Sequence, residues 1–233
     1  MKTLAIIPTW NERENISMLI PAIFKVLPDI DVLVVDDNSP DGTAEVVRSM
    51  QDGAKNLCLI VGRGKEGLGK AYIRGFHEVL RTPEFDQIIM MDADFSHDPQ
   101  YLPDIIRAAQ NADVVIGSRY IKDGGVYGWD FWRVLLSRGG NMYCRAILRM
   151  PVFDYTGGFN LIKTHLLSSL ELEGFGSSGY AFIIELKYRL YRRGARFKEV
   201  PIIFKNRRNG ESKISNHIIF EGLLAPWKLL FKK

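Results

Sequence analysis

Cysteine is scarce in this chain of 233 residues: only Cys58 and Cys144 occur, with no CxxC, which excludes a disulfide framework and predicts two core thiols in a reducing compartment. Each lies in an apolar stretch, and neither is expected to be a nucleophile. No run of about 18 uninterrupted apolar residues occurs, so no membrane-spanning helix is expected, and the short apolar stretch behind Met1 does not make a signal peptide. The four histidines, His77, His97, His165 and His217, show neither HExxH nor another ligand spacing and read as ordinary surface or helix positions. No Ser-His-Asp arrangement, internal repeat or low-complexity linker can be traced.

What is present is an ordinary globular composition, 46% hydrophobic and 25% charged, with a net charge of +4 and a pI near 9.0. That modest excess points to an acidic partner such as phosphate, a membrane surface or nucleic acid. Apolar runs at 3–7, 31–35, 57–61, 87–91 and 113–117 alternate with helical patterns near 12–27, 42–51, 69–81 and 102–111. This predicts an α/β layer whose mostly parallel central sheet is flanked by helices, with ligands at the carboxyl ends of the strands. Asn11 and Glu14 have capping-box spacing at the first helix. After Tyr120 the pattern changes to a glycine loop, a helix over about 131–149, a helix at 180–193 and a strand near 196–204.

Asp92 and Asp94 end the run Gln87–Met91, and residues two apart on a strand share a face. A divalent cation such as Mg²⁺ or Mn²⁺ is the economical reason to keep two carboxylates together, although a strand end with solvated acids reads the same way. Asp36-Asp37-Asn38-Ser39-Pro40-Asp41-Gly42-Thr43 reads as a ligand-binding turn or as a turn in which Asp41 or Thr43 serves helix-start amides. Gly62 to Ala71 holds a G-x-G-x-x-G and a near-match to a P-loop, but Ala71 stands where a metal-binding hydroxyl belongs, so a glycine and lysine loop over phosphates is the better reading. Arg119, Arg133 and Arg138 around Ser137, and Arg207 to Lys213, fall where phosphate grips are common. From His217 to Lys233 one helical face carries Phe220, Leu223, Leu224, Trp227 and Phe231, suiting core packing or a membrane interface, with Pro226 expected to kink or divide the helix.

Taken with Pro8-Thr9-Trp10-Asn11-Glu12, Gly67-Leu68-Gly69-Lys70-Ala71-Tyr72, Gly117-Ser118-Arg119-Tyr120, Gly124-Gly125-Val126-Tyr127-Gly128-Trp129 and Gly210-Glu211-Ser212-Lys213, these motifs make nearly the whole chain resemble the polyprenyl (dolichyl) phosphate mannose synthases, inverting glycosyltransferases of the GT-A (Rossmann-like) fold. The resemblance implies that Pro8, Trp10, Glu12, Val35 and Asp37 hold the guanosine of GDP-mannose, and that Asp92, Ala93 and Asp94 contact metal, diphosphate and sugar. Ser96 takes the place of the family's Gln as a metal ligand, direct or through water, and Asn160 stands where the family has Arg. Arg119, Arg133 and Ser137 match the grip on the lipid phosphate, and Arg207 and Lys213 match the pair that reaches the donor phosphates, with Arg119 also at the donor. Asp94, Arg119, Arg133 and Ser137 are thus the candidate catalytic set. Residues 1–213 read as the catalytic domain, with 1–120 the nucleotide-sugar half and 121–213 the acceptor half, followed by an interfacial helix at 214–233.

The implied partners are GDP-mannose, a polyprenyl phosphate, a membrane's cytoplasmic face and a membrane-anchoring subunit, but no nucleic acid. Three other readings stay open: a UDP-glucose donor; a hydroxyl acceptor needing a base such as Asp154; and a membrane-surface module that binds nucleotide sugars without turnover.

Overall fold

The computed structural model describes residues 1–177, 179–206 and 216–231, by backbone alone for 216–221. Strands and helices alternate through β1 (Thr3–Thr9), α1 (Arg13–Val26), β2 (Asp31–Asp36), α2 (Thr43–Gln51), β3 (Leu57–Val61), α3 (Leu68–Arg81), β4 (Gln87–Met90), α4 (Leu102–Ala108) and β5 (Val114–Ser118). The second half contains β6 (Gly125–Tyr127), α5 (Phe131–Leu148), β7 (Asn160–Lys163), α6 (Thr164–Leu167), α7 (Gly179–Arg192), β8 (Phe197–Pro201), β9 (Ile203–Lys205) and α8 (Asn216–Phe231).

Seven strands form the main sheet in the order β3-β2-β1-β4-β7-β5-β8. Successive side chains on a strand point to opposite faces, so Leu4 and Ile6 of β1 join the core beneath α3, α5 and α7, while Ala5 and Ile7 join the core beneath α1 and α4. All pairings in this sheet are parallel except those of β7, which is antiparallel to both neighbours. The antiparallel strand matters for the site. It begins where β1, β2, β4 and β5 end, and so carries the loop at 154–159 to their carboxyl edge.

Four expectations are corrected. The strand foreseen near 196–204 is two strands, β8 on the main sheet and β9 paired with β6 in a separate ribbon, parted at Ile202. Asn11 does not cap α1: it is left-handed, with φ of 57°, and Glu12 makes no side-chain cap. Instead the turn after β2 supplies the cap from outside, since Asn11 N donates to Ser39 Oγ (3.0 Å), Glu12 N to Thr43 Oγ1 (3.1 Å) and Arg13 N to Asp41 Oδ2 (3.1 Å). Cys58 is exposed, because β3 is an edge strand, whereas Cys144 is buried and its thiol is pushed up to about 12 by that burial. Pro226 lies inside α8 without ending it. Packing of α8 on α5 and α7, through the buried Ala225 and Leu229, supports the helix across the missing N–H. No helix among the described residues is long and apolar enough to cross a membrane.

Candidate active site

The ends of β1 and β2 are joined beyond the ladder, Asp37 N donating to Thr9 O at 3.0 Å, and Met91 N extends β4 along β1 by donating to Ile6 O at 3.1 Å. Three turns therefore leave one edge side by side. Asp36 is fully buried and accepts from Thr9 Oγ1, Ser39 N and Ser39 Oγ, each at 2.7 Å. Asp37 accepts from Glu66 N (3.0 Å) and Gly67 N (2.9 Å), and Arg74 bridges it to Glu66. A carboxylate of the chain thus occupies the backbone amides that a P-loop would offer to phosphate, which removes that reading of residues 62–71. Gly67 makes the turn with φ of 94°, a conformation that favours glycine. Lys65 Nζ lies 5.1 Å above the Trp10 ring and ties this loop to the end of β1.

Beyond β4, Asp92 and Asp94 line one cavity of about 260 Å³ together with Ser96 and His97. Asp94 Oδ1 accepts Ser96 N at 3.0 Å, and Phe95 between them is left-handed, with φ of 63°. Ser96 Oγ is buried with no hydrogen-bond partner among the described residues. Two carboxylates and an unsatisfied hydroxyl are hard oxygen donors, a set that fits Mg²⁺ or Mn²⁺ better than a thiophilic metal. Among the described residues no group of three or more His, Cys, Asp or Glu is gathered to hold a metal alone, so diphosphate and water would have to complete the coordination.

His97 is the residue that sequence reasoning passed over. It is buried, stacks on Phe159 at 4.9 Å and meets Phe204 edge-on at 5.8 Å. Its Nδ1 accepts the Asp92 amide at 2.9 Å, which leaves Nε2 to carry the proton, 3.8 Å from Asp92 Oδ2. Burial lowers its pKa, against the pull of Asp92 and Asp94, and keeps the ring neutral. The sequence signal was its place three residues after Asp94, just beyond a strand end.

Arg119, Trp129 and Arg133 close the opposite wall of the same cavity. Arg119, 5% exposed, is bound through Nε to Asp154 Oδ2 (2.8 Å) and through Nη2 to Asp154 Oδ1 (2.7 Å) and Thr156 Oγ1 (2.8 Å). Burial alone would raise the Asp154 carboxyl; Arg119, then Lys187, outweigh it and bring it down to about 2. A carboxylate so buried, so acidic and committed to Arg119 is no general base, which removes the reading with a hydroxyl acceptor activated by Asp154. Arg133 lies over the Trp129 ring at 4.1 Å, and both Arg133 Nε and Trp129 Nε1 are buried donors without a partner among the described residues. Asp130 caps α5 by accepting Arg133 N at 2.8 Å. Ser137 Oγ accepts from Tyr120 OH at 2.6 Å.

A second cavity, of about 510 Å³, adjoins the first and shares Arg119, Trp129, Arg133, Thr156 and Tyr180 with it. Its other walls are mainly apolar or glycine, including Leu135, Leu136, Gly139 and Leu223, with Ser137 among them. Of the sequence-derived site residues, Asp92, Asp94, Ser96, Arg119 and Arg133 therefore meet in one cavity, with Ser137 next door. Ala93 is buried in the core under α1 and α4. Pro8, Trp10, Glu12, Val35 and Asp37 gather separately at the ends of β1 and β2, where Pro8 pairs with Val35, and do not line that cavity. Arg207 and Lys213 lie outside the described residues.

Residues 4–170 match the family model described as Glycosyl transferase family 2. The chain is 37% identical over 236 residues to the undecaprenyl-phosphate mannosyltransferase of Micrococcus luteus, covering 98% of this chain and 97% of that one. It is 37% identical over 230 residues to the polyprenol monophosphomannose synthase of Mycolicibacterium smegmatis, covering 97% and 86%. A crystal structure of glucosyl-3-phosphoglycerate synthase from Mycobacterium tuberculosis in complex with Mn²⁺, uridine diphosphate and glucosyl-3-phosphoglycerate superposes with a TM-score of 0.69 at 17% identity, over 97% of this chain and 78% of the other. The arrangement of strands, with cavity-lining turns at their carboxyl ends, is the GT-A fold, and the chain is a glycosyltransferase that belongs to glycosyl transferase family 2.

Proposed function

We propose that the protein transfers mannose from GDP-mannose to a polyprenyl monophosphate, with inversion at the anomeric carbon, giving a polyprenyl β-mannosyl phosphate and GDP. One observation carries this reading: the polar cavity holding Asp92 and Asp94 and the apolar cavity beside α5 share the arginine wall of Arg119 and Arg133. An acceptor with an anionic head and a long apolar tail matches that pairing, and the relatives' names specify such acceptors. Mannose as the transferred sugar rests on the same names, and GDP rather than UDP on the resemblance carried by Gly124 to Trp129.

A lipid monophosphate has a second pKa of about 6 and is already an anion at neutral pH, so its oxygen attacks without a general base. The chain's work is then placement and charge. Arg133 Nε and Trp129 Nε1, without partners among the described residues, would donate to that phosphate, while Arg119, its charge balanced by Asp154, is held by Asp154 and Thr156 as a fixed guanidinium in the shared wall. Asp92, Asp94 and Ser96 would hold Mg²⁺ or Mn²⁺, with His97 steadying the Asp92 backbone. Bound there, the cation neutralises charge on the departing diphosphate. The nucleoside belongs at the ends of β1 and β2, and the family resemblance assigns Arg207 and Lys213 to the donor phosphates.

Exposed apolar side chains lie along α5 (Phe131, Trp132, Leu135, Leu136, Met142) and α8 (Leu223, Leu224, Trp227, Phe231), of which Leu135, Leu136 and Leu223 line the apolar cavity, with Arg138 and Arg145 also exposed on α5. Such a surface suits peripheral association with a membrane, and two unpaired thiols suit its cytoplasmic, reducing face. Trp132→Ala with Phe131→Ala is expected to weaken sedimentation with lipid vesicles at least about tenfold, the scale of one buried aromatic side chain; unchanged sedimentation would oppose this placement.

The activity test is incubation with GDP-mannose and a polyprenyl phosphate, with and without Mg²⁺ or Mn²⁺, followed by mass analysis of the lipid. A metal-dependent gain of one hexose is expected. Transfer only from UDP-glucose would replace the donor, and sugar-nucleotide binding without any product would leave a binding module.

A further inference from the structure

Lys187 is the most buried cation described in the chain, 1% exposed on α7 among Phe182, Ile183, Ile184 and Leu190. A buried ammonium costs several kcal/mol in lost hydration unless hydrogen bonds replace the water, and a methionine of similar size would fill the space without that cost. The distinguishing chemistry of this side chain is what its three protons do. Nζ donates to Asp154 O at 2.9 Å, to Gly157 O at 2.9 Å and to Tyr155 O at 3.4 Å.

Those carbonyls belong to the turn that builds the acceptor wall. Asp154 accepts Arg119 N and Nε through one oxygen and Arg119 Nη2 and Gly157 N through the other. Thr156 holds Arg119 Nη2, and Gly157 and Gly158 line the cavity, where a Cβ on Gly158 would come within 3.3 Å of His97 Cε1. A shift of this turn would move the arginine and the cavity wall together. The charges agree with such a role: Asp154 cancels Arg119, and Lys187 leaves one uncompensated positive charge in the fully buried set, faced from β8 by the half-exposed Glu199, which accepts Phe153 N and Asp154 N.

We propose that Lys187 is a positioning residue for the phosphate acceptor: its ammonium gathers the 154–157 carbonyls and thereby fixes Arg119 and Thr156 against the acceptor. This rests on the acceptor reading given above. The nucleoside corner at the ends of β1 and β2 shares none of these hydrogen bonds, and Arg119 is the one described link to the donor, so the effect should be much larger on the acceptor than on GDP-mannose. Burial, reinforced by Arg119, pushes the Lys187 ammonium down to about 8, against Asp154 and then Glu199, which pull it up; the Cys144 thiol, itself raised to about 12, is neutral there and adds no charge. Below that pH three protons meet three carbonyls; above it the amine has two, and the clamp loosens.

The test compares wild type, Lys187→Met and Lys187→Gln in transfer from GDP-mannose to polyprenyl phosphate. Lys187→Met is expected to lower kcat/KM for the acceptor about 100-fold, the scale of roughly 1 Å of misplacement, with KM for GDP-mannose within about twofold of wild type. Lys187→Gln, which keeps two amide protons for the carbonyls, should recover part of that loss. Wild-type kcat/KM for the acceptor should fall as pH rises through about 8, and neither variant should show that limb. A flat wild-type profile to pH 9.5, wild-type acceptor kinetics in Lys187→Met, or equal losses for donor and acceptor would each overturn the proposal. The wild-type limb is readable even if both variants fail to fold. Absence of any wild-type transfer would instead remove the acceptor reading on which it stands.

Discussion

At the ends of β1 and β2, Asp36 and Asp41 are satisfied by neighbouring amides and hydroxyls and Asp37 by two amides and the partly exposed Arg74, whereas at the end of β5 the fully buried charges satisfy one another, Arg119 against Asp154 with Lys187 behind them. The first arrangement ties neighbouring turns into one corner by hydrogen bonds to carboxylates, each worth about 1.5–3 kcal/mol, and around the partly exposed Asp41 water can replace a lost partner. The second puts a cation, an anion and a second cation where water cannot replace a lost partner, so each depends on the others. On the proposed assignment, the nucleotide side thus takes its shape chiefly from hydrogen bonds between turns, and the acceptor side from buried charges. The same contrast extends outward, since the apolar cavity and the exposed face of α5 lie only on the acceptor side.

The contrast breaks most visibly at Arg119. Replacing it with leucine strands the Asp154 carboxylate in the core and is expected to cost about 3–5 kcal/mol of stability, read as a lower urea midpoint at unchanged slope. A change under 1 kcal/mol would mean that water reaches Asp154. Next in size, Asp94→Ala is expected to cut transfer at least about 10³-fold, some 4 kcal/mol of lost charge stabilisation, and to leave thermal unfolding within a few degrees of wild type. Unchanged turnover in this variant would remove the metal assignment.

The acid limb of stability tests the electrostatic half further. Asp154 titrates at about 2 when folded and near 3.9 when unfolded, so its contribution, about 2 kcal/mol, is fully present above pH 4 and is lost as pH falls from 4 to 2. Asp154→Asn should flatten that part of the stability curve measured by urea unfolding, and an unaltered slope would contradict the pairing. On the nucleotide side, Asp41→Ala removes the acceptor of Arg13 N and Thr43 N and is expected to cost only about 1 kcal/mol, measured the same way. A loss as large as that at Arg119 would erase the distinction between the two sides.

How much of this was legible in the chain follows the same division. Local patterns gave the alternation of β1 to β5 with their helices, because that depends on residue spacing alone; Asp92 and Asp94 do line one cavity, but from the turn beyond β4, which ends at Met90, and not from one face of a strand. The patterns did not give β7, a four-residue strand whose antiparallel place between β4 and β5 is decided by tertiary pairing. Nor did they give the start of α1: the spacing of Asn11 and Glu14 suggested a cap that Ser39, Asp41 and Thr43 provide from a distance. His97 and Lys187 look like ordinary polar positions on paper, and only the fold shows one held against the Asp92 amide and the other enclosed by carbonyls. Cys58 misled in the other direction, since an apolar strand at a sheet edge still exposes one face.

The central claim is that one arginine wall serves a charged cavity and an apolar one, so that the acceptor must be both phosphate and lipid. Measuring kcat/KM for mannosyl transfer across phosphate acceptors of rising isoprenoid length, beside a short soluble alkyl phosphate, tests it most directly. Efficiency should climb with chain length and drop to near background for the soluble phosphate, and Leu136→Asp should abolish the climb. A soluble phosphate used as well as a polyprenyl phosphate would contradict it.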